Sequence, residues 1–319
     1  MCSSDLLLAL ATAGMWLLLR GSWTLPHDET APAFGALNDL RAWVDSNRAA
    51  NPVLVLCIDV VRGLVGGLVD AFSSVLHGLG WPGVTALATG LAIILAGRRV
   101  ALLVLGGFLA FGLLGLWEES IDTLALTLAS VVVSLAIGLP LGILAGRSDR
   151  VKRLLDPVLD VLQIMPTFAY LAPLVLIFLI GPASAAIATA IYAVPTTIRI
   201  TALAIRGVGL PAIEAATSLG ATRGQVLRLV QLPIARRTLV LAVNQTMMMA
   251  LAMVVITALI SAPGLGASIV TALQKVNVGS AFQAGLAIVV MAIVLDRLTA
   301  GAAERVEREH RAGRPADPA

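Results

Sequence analysis

The sequence has little charge, few histidines and cysteines, and almost no lysine, and each shortage excludes a class of protein. Only 13% of its 319 residues are charged, against about 25% in an average soluble chain, so a soluble enzyme is excluded. Two cysteines and three histidines provide neither a disulfide framework nor a metal cluster. The two lysines, Lys152 and Lys275, stand outside any G-x-x-x-x-G-K-[ST] pattern, so the sequence has no P-loop with which to bind ATP.

Long apolar runs are what the sequence has instead. Hydrophobic residues make up 58% of it, the mean hydropathy is +0.94, and about 20 apolar residues suffice for a helix to cross a bilayer. We therefore predict an all-α polytopic membrane protein whose transmembrane domain covers residues 81–302. Its seven spans are predicted at residues 81–97, 100–117, 121–146, 160–180, 183–205, 238–260 and 282–300.

Two segments, residues 1–52 and 53–80, precede the first of these spans. Residues 1–52 hold a short apolar run from Leu6 to Leu19 and then a polar stretch with three prolines. A signal peptide, a short span and an interfacial segment all stay open for the run, and residues 20–52 are predicted to be an extracytoplasmic tail without an assigned fold. Over residues 53–80, polar and small side chains recur every three or four positions, which predicts an amphipathic helix that lies in the membrane interface or against the bundle.

Arginine is concentrated in the loops on one side of the predicted spans. By the positive-inside rule that side is cytoplasmic, so the polar tail, residues 303–319, is expected inside the cell. The distribution indicates topology and not nucleic-acid binding. Contact between the tail and anionic membrane lipids is one further reading, and a solvated tail that only sets the topology is the other. The basic groups lie at residues 98–99, 147–153, 206–237 and 305–314.

Glycines and prolines mark special positions within the spans. Gly138, Gly142 and Gly146 recur every four residues, so three patches without side chains lie on one helix face and another helix can approach closely there. Prolines are expected to bend or break their helices. They lie at positions 140, 166, 173 and 195.

The loop over residues 206–237, called the coupling loop below, is predicted to form two short helices joined by a turn. Pro211 suits a first helical turn and Gly220 a helix end. Thr222 and Gln225 have capping-box spacing for the second helix, which Pro233 is expected to stop. The product is a rigid helical elbow.

The first helix of this elbow presents a small surface beside one carboxylate, which is suited to docking. Its sequence resembles the EAA signature of ABC-importer permeases, and six of the seven signature positions match. Only Val230 departs, where isoleucine is usual, and the loss of one methylene is not expected to impair docking. The seven positions are Glu214, Ala215, Ala216, Gly220, Val230, Leu232 and Pro233.

Further segments resemble the glycine betaine/proline permease subunits of ABC importers, a MetI-like family. They are GLPLGILAGRS (138–148), PTFAYLAPLVLIFLIG (166–181), VPTTIRITALAIRGV (194–208), VNQTMMMALAMVVITALI (243–260) and LDRLT (295–299).

This resemblance implies a MetI-like transmembrane bundle in a bacterial cytoplasmic membrane, paired with a second copy of itself. Its EAA loops would sit in two cytoplasmic ATPase subunits. ATP and magnesium would be bound by those subunits, and an extracytoplasmic binding protein would deliver the solute. The chain itself would be no enzyme but a permease that moves glycine betaine or proline-type solutes by alternating access. The alternatives are an ABC permease for choline, methionine or taurine, or an ion-coupled secondary carrier. No carboxylate lies in the middle of a predicted span, which weighs against the carrier.

Six residues are candidates for lining the solute pathway. Aromatic rings attract a quaternary ammonium group, and polar groups inside a span need partners or water. Hydrogen bonding between helices is an equal explanation for the two amides. The candidates are Phe168, Tyr170, Tyr192, Asn244, Gln245 and Met248.

Overall fold

The computed structural model describes residues 55–312 without a break, and before them residues 12, 14–16, 35, 39, 42–44, 46, 47 and 50–52. The chain divides into two units, residues 1–54 and 55–319. In the first unit, most of the apolar run lies outside the described residues. The tail over residues 20–52 had no assigned fold, yet nearly all of its described residues are helical. Within it, the Trp43 carbonyl oxygen accepts a hydrogen bond of 2.9 Å from the Asn47 side chain.

The described residues of the second unit form helices joined by short turns, without a strand, which confirms the all-α prediction. A π-helical turn, Val55–Val60, precedes α1, another, Val226–Gln231, lies between α8 and α9, and the 3₁₀ turn Ala258–Ile260 follows α9. The helices are α1 (Val61–Ala96), α2 (Arg98–Leu113), α3 (Trp117–Arg147), α4 (Asp149–Ile164), α5 (Thr167–Phe178), α6 (Pro182–Arg206), α7 (Leu210–Ser218), α8 (Arg223–Gln225), α9 (Leu232–Thr257), α10 (Leu265–Gln274) and α11 (Val278–Ala312).

Five helical stretches among the described residues are long and apolar enough to cross a membrane, against the seven spans predicted. They are Ile58–Ala96, Trp117–Arg147, Pro182–Arg206, Arg223–Ile260 and Val278–Arg305. A sixth is reached if α4 and α5 count as one span. The remaining predicted span corresponds to α2, whose 16 residues reach about 24 Å, less than the thickness of the hydrocarbon core.

The predicted span over residues 160–180 is not one continuous helix, because α4 and α5 meet at an angle of 107°. Met165 and Pro166 between them are extended, with ψ of 133° and 137°. Proline lacks the N–H of the helical ladder and disfavours the helical region for the residue before it. The other three prolines singled out, at positions 140, 173 and 195, lie inside continuous helices.

Helix α1 is divided at Gly80, whose φ of +61° is non-helical. Its 36 residues would extend about 54 Å as one rod, more than a bilayer is thick. The break coincides with the predicted boundary between the amphipathic segment and the first span. The part before Gly80 packs on other helices of the unit, because Val65 and Val69 lie in one buried cluster with Ala185.

Helices α3 and α6 approach each other along the predicted glycine face. A Cβ atom at Gly142 would lie 2.5 Å from the Cβ of Thr201, and a Cβ at Gly138 would lie 2.6 Å from that of Thr197. This confirms the close approach of a second helix. Thr197 in turn shares a hydrogen bond of 2.7 Å with the hydroxyl of Thr246, which joins α6 to α9. Helices α3, α6 and α9 therefore form the centre of the unit, from whose α6 and α9 the coupling loop projects.

Candidate functional site

The first leg of the coupling loop is α7, which begins and ends where the sequence predicts. Pro211 lies in its first turn. At its end the Gly220 N–H donates to the Thr217 carbonyl at 2.9 Å and the Ala221 N–H to the Ala216 carbonyl at 3.1 Å. This pair of bonds is a Schellman cap, in which the residue at the position of Gly220 takes a left-handed conformation. Its φ is +80°.

The second leg begins with the predicted capping box. The Thr222 N–H donates to Oε1 of Gln225 at 2.8 Å, and the Gln225 N–H donates to Oγ1 of Thr222 at 3.4 Å. Two backbone donors of the helix start are satisfied reciprocally, which fixes the direction in which the chain leaves the turn. The capping prediction is confirmed.

The expectation that Pro233 stops the second helix is wrong. From Arg223 the chain continues through the π-helical turn into α9 as one helical path that ends at Ile260. Pro233 lies in the first turn of α9, where the π-helical turn before it has already interrupted the ordinary hydrogen-bond ladder. The missing N–H of Pro233 therefore costs the helix little hydrogen bonding, and the proline is tolerated without a break in the helix.

The EAA signature divides into an exposed part and a packed part. Four of its residues are exposed and Ala216 is half-buried. Val230 and Leu232 pack against the buried cluster of Ala204, Ile205, Val208 and Ala235. The valine that replaces the usual isoleucine therefore contributes to internal packing, away from the exposed surface. The exposed residues are Glu214, Ala215, Gly220 and Pro233.

Two arginines hold the coupling loop at the corner between α3 and α4. The Arg206 guanidinium donates to the Ala145 carbonyl oxygen at 2.8 Å and lies 2.7 Å from Oδ1 of Asp149. The Arg147 guanidinium donates to the Arg223 carbonyl oxygen at 3.0 Å. The hydrogen bond and the charge of Arg206 hold the pKa of Asp149, which precedes the predicted span at 160–180, below its usual range. In the sequence, both arginines indicate only the topology.

A second ion pair joins α4 to α6 farther along, between Arg199 and Asp160. It opens onto a cleft of about 500 Å³ that Ala202 and Leu159 also line. Sequence reasoning missed this pair, although Arg199 lies within a predicted span. An ionisable residue at such a place is by default a functional candidate.

Of the pathway candidates, the two amides of α9 line one cleft of about 660 Å³. Asn244 is 8% exposed, and its Nδ2 lies 2.7 Å from the Thr299 hydroxyl and 3.1 Å from Oδ1 of Asp296. Asn244 thus makes the interhelical hydrogen bonds that were the alternative explanation for it. Gln245 is exposed in the same cleft.

The remaining pathway candidates do not join that cleft. Phe168 is 61% exposed on α5. Tyr192 packs half-buried against the cluster that contains Met253, and Met248 packs against the cluster that contains Met291. The side chain of Tyr170 lies outside the described residues. Where its side chains are described, the structure therefore forms no aromatic cage from these candidates.

A family model described as binding-protein-dependent transport system inner membrane component matches residues 138–308. The chain is 42% identical over 240 residues to the glycine betaine transport system permease protein OpuAB of Bacillus subtilis, covering 74% of this chain and 85% of that protein. It is 39% identical over 264 residues to the glycine betaine/carnitine transport permease protein GbuB of Listeria monocytogenes, covering 82% and 94%. With the glycine betaine/proline betaine permease protein ProW of Escherichia coli it shares 39% identity over 239 residues, covering 75% and 68%.

Two solved structures of the MetNI methionine ABC transporter in inward facing conformations share the fold. The TM-score is 0.53 for each, at 22% and 24% sequence identity. The match covers 61% of this chain and 94% and 95% of the solved chains. At that identity the likeness extends to the fold alone, a MetI-type bundle of helices.

Proposed function

The chain belongs to the family of binding-protein-dependent transport system inner membrane components, and from that premise we propose that it is the permease subunit of an ATP-driven importer for glycine betaine or a proline-type compatible solute. The assignment of the substrate rests on the 42% identity, over about three quarters of the chain, with a permease named for glycine betaine. The solute crosses the cytoplasmic membrane by alternating access, and the energy comes from ATP hydrolysed on partner subunits.

The coupling loop is the surface on which an ATPase subunit docks. Glu214 and Ala215 are exposed on α7. Because α7 is capped at its end and the base of the loop is packed, a movement of α7 is transmitted to α6 and α9 without deforming the loop. Each chain has one such loop, so a working transporter has two copies of this chain and two ATPase subunits. An extracytoplasmic binding protein delivers the solute to the opposite face, and both the loop and the C-terminus face the cytoplasm.

We assign different roles to the two amides of α9. Asn244 holds α9 to α11 through its bonds to Asp296 and Thr299, whereas the exposed Gln245 faces the open cleft and is the better candidate for solute contact. Neither Phe168 nor Tyr192, the candidate aromatic residues whose side chains the structure describes, lines that cleft. High-affinity recognition of the solute is therefore assigned to the separate binding protein.

The test is uptake of labelled glycine betaine after osmotic upshift, in a transport-deficient host that also produces the ATPase and the binding protein. Glu214→Lys should abolish uptake and the stimulation of ATP hydrolysis by loaded binding protein, while the amount of protein in the membrane is unchanged. Asp70→Lys is the matched control, since it makes the same charge change at an exposed residue of α1. Uptake that persists in Glu214→Lys would refute the docking assignment, and an assembled wild-type complex that does not import betaine would refute the substrate.

A further inference from the structure

Both legs of the coupling loop contact one corner of the unit, residues 145–149, which we call the α3–α4 corner. The first leg leaves α6 at Arg206, whose guanidinium bridges the Ala145 carbonyl oxygen and the Asp149 carboxylate. The second leg begins at Arg223, whose carbonyl oxygen accepts a hydrogen bond from Arg147. Thus a part of the chain outside the loop, and outside the EAA signature, is bonded to the loop at its start and at its return.

These contacts are poorly suited to stabilising the fold. The side chains of Asp149 and Arg206 are 77% and 34% exposed, and ion pairs at that exposure add little to stability. The base of the loop is already held by the buried cluster around Ile205. What the guanidinium adds is direction, because its Nη2 contacts both acceptors of the corner and the planar group fixes the directions of the two N–H bonds on that nitrogen.

A second ion pair extends the connection along α4. Arg199 and Arg206 are seven residues apart on α6, so their side chains lie on one face, two turns apart. Arg199 pairs with Asp160 and Arg206 with Asp149, so α4 is tied to α6 near both of its ends. The opposite face of α4 is exposed and apolar, with Leu154 at 74% and Val158 at 56% exposure.

We infer that α4 is a positioning element of the coupling loop, joined to the loop by the ion pair Arg206–Asp149 and to α6 by the ion pair Arg199–Asp160, so that α4 and α7 shift as one body when an ATPase subunit moves α7. This inference rests on the proposed docking of the ATPase at α7. Asp149, Asp160, Arg199 and Arg206 are positioning residues in this scheme, because they act through the loop and touch neither solute nor nucleotide.

The ion pair between Lys152 and Asp156, 2.7 Å apart, provides a matched control. It is likewise an ion pair with an aspartate of α4, but both of its partners belong to α4. In the complete importer, Asp149→Asn and Asp160→Asn should each reduce the solute imported per ATP hydrolysed by about fivefold, the size of a modest coupling between sites. Asp156→Asn should leave that ratio unchanged.

Exchange of charges separates positioning from folding. The variant Asp149→Arg should behave like Asp149→Asn, and adding Arg206→Asp should restore at least half of the ratio. Arg206→Lys keeps the charge but not the fixed N–H directions of the planar guanidinium, and it should assemble normally with a reduced ratio. If Asp149→Asn and Asp160→Asn both retain the wild-type ratio, or if Asp156→Asn lowers it equally, the inference is overturned.

A distance measurement tests the same inference without any solute. Spin labels on cysteines at Leu154 of α4 and Leu219 beside α7, both highly exposed, report the separation of the two elements in the ATPase complex. On addition of ATP and magnesium, this distance should stay constant in the wild type and should change in Asp149→Asn/Asp160→Asn. An equal change in both proteins would refute joint movement, whereas absence of betaine uptake would refute only the proposed substrate.

Discussion

At Gly220 a single residue decides the direction of the coupling loop. Its φ of +80° is left-handed, and no atom lies within 4 Å of where a Cβ would be. The change Gly220→Ala therefore meets no clash but strains the turn by about 1 kcal/mol. We expect a folded importer with less solute imported per ATP hydrolysed. The control is Gly224→Ala in α8, where a Cβ is equally unobstructed and the backbone is not left-handed, and equal behaviour of the two variants would contradict the prediction.

Asn244 and Gln245 are adjacent in sequence, yet the structure gives them different roles. Asn244→Ala removes the bonds to Thr299 and Asp296 and should lower the free energy of unfolding by about 1 kcal/mol, the usual size for a hydrogen bond between membrane helices. Gln245→Ala should leave stability unchanged and alter the rate of solute uptake. Thermal unfolding of the detergent-purified protein measures the first effect, and uptake measures the second. A larger loss of stability in the Gln245 variant would reverse the assignment.

The sequence could predict the roles of residues whose hydrogen-bond partners lie close to them along the chain. The cap at Gly220 and the capping box of Thr222 involve bonds over three to five residues, so their spacing alone identifies them. The partner of Asn244 lies 52 residues away, and Asp149 lies 57 residues before Arg206. Nothing local indicates which carboxylate a distant arginine or amide will meet, because that pairing follows from how the helices pack.

At the scale of helices, the glycine face of α3 sets how closely α6 approaches. A Cβ at Gly142 would lie 2.5 Å from the Thr201 Cβ and 2.9 Å from a backbone oxygen of α6. Since the backbone cannot give way as a side chain can, Gly142→Ala should destabilise the fold by about 1–3 kcal/mol. Less folded protein should reach the membrane, as measured by size-exclusion profile and thermal unfolding.

Another glycine in an apolar helix provides the comparison. Gly106 of α2 has no atom within 4 Å of a Cβ, so Gly106→Ala should be neutral or slightly stabilising, because alanine favours the helix. If Gly106→Ala proves as damaging as Gly142→Ala, close packing at the seam is not the cause of the effect.

Helix boundaries were predicted well where hydropathy and charge change together. The spans predicted at 121–146 and 183–205 lie within Trp117–Arg147 and Pro182–Arg206. The break expected at Pro166 is confirmed, whereas the stop expected at Pro233 is wrong, and hydropathy does not distinguish the two prolines. One breaks its span at 107°, while the other lies in a first helical turn and breaks nothing. The effect of a proline depends on whether the hydrogen bond it removes was still available, and that is decided by the neighbouring turns.

For the molecule as a whole, the number of crossings follows from how α2 and the bent pair are counted. If both cross the bilayer, the chain crosses seven times from Gly80 onward, and the arginine-rich loops all lie on one side. If α2 lies in the interface, residues 98–99 and the loop before α3 share a side, and the positive-inside pattern is broken there. The distribution of charge thus favours a short, fully inserted α2.

Labelling of single introduced cysteines in cells tests this topology. After both native cysteines are replaced by serine, single cysteines are introduced at Arg98, Glu118, Leu219 and Val276. An impermeant maleimide should label the Glu118 and Val276 variants in intact spheroplasts, and the Arg98 and Leu219 variants only after permeabilisation.

Leu219 and Val276 are 89% and 82% exposed and flank α9, so their opposite labelling tests the cytoplasmic placement of the coupling loop, whether or not α2 crosses the membrane. Equal labelling of the Arg98 and Glu118 variants would show that α2 does not cross, and labelling of the Leu219 variant from outside would overturn the orientation on which ATPase docking depends.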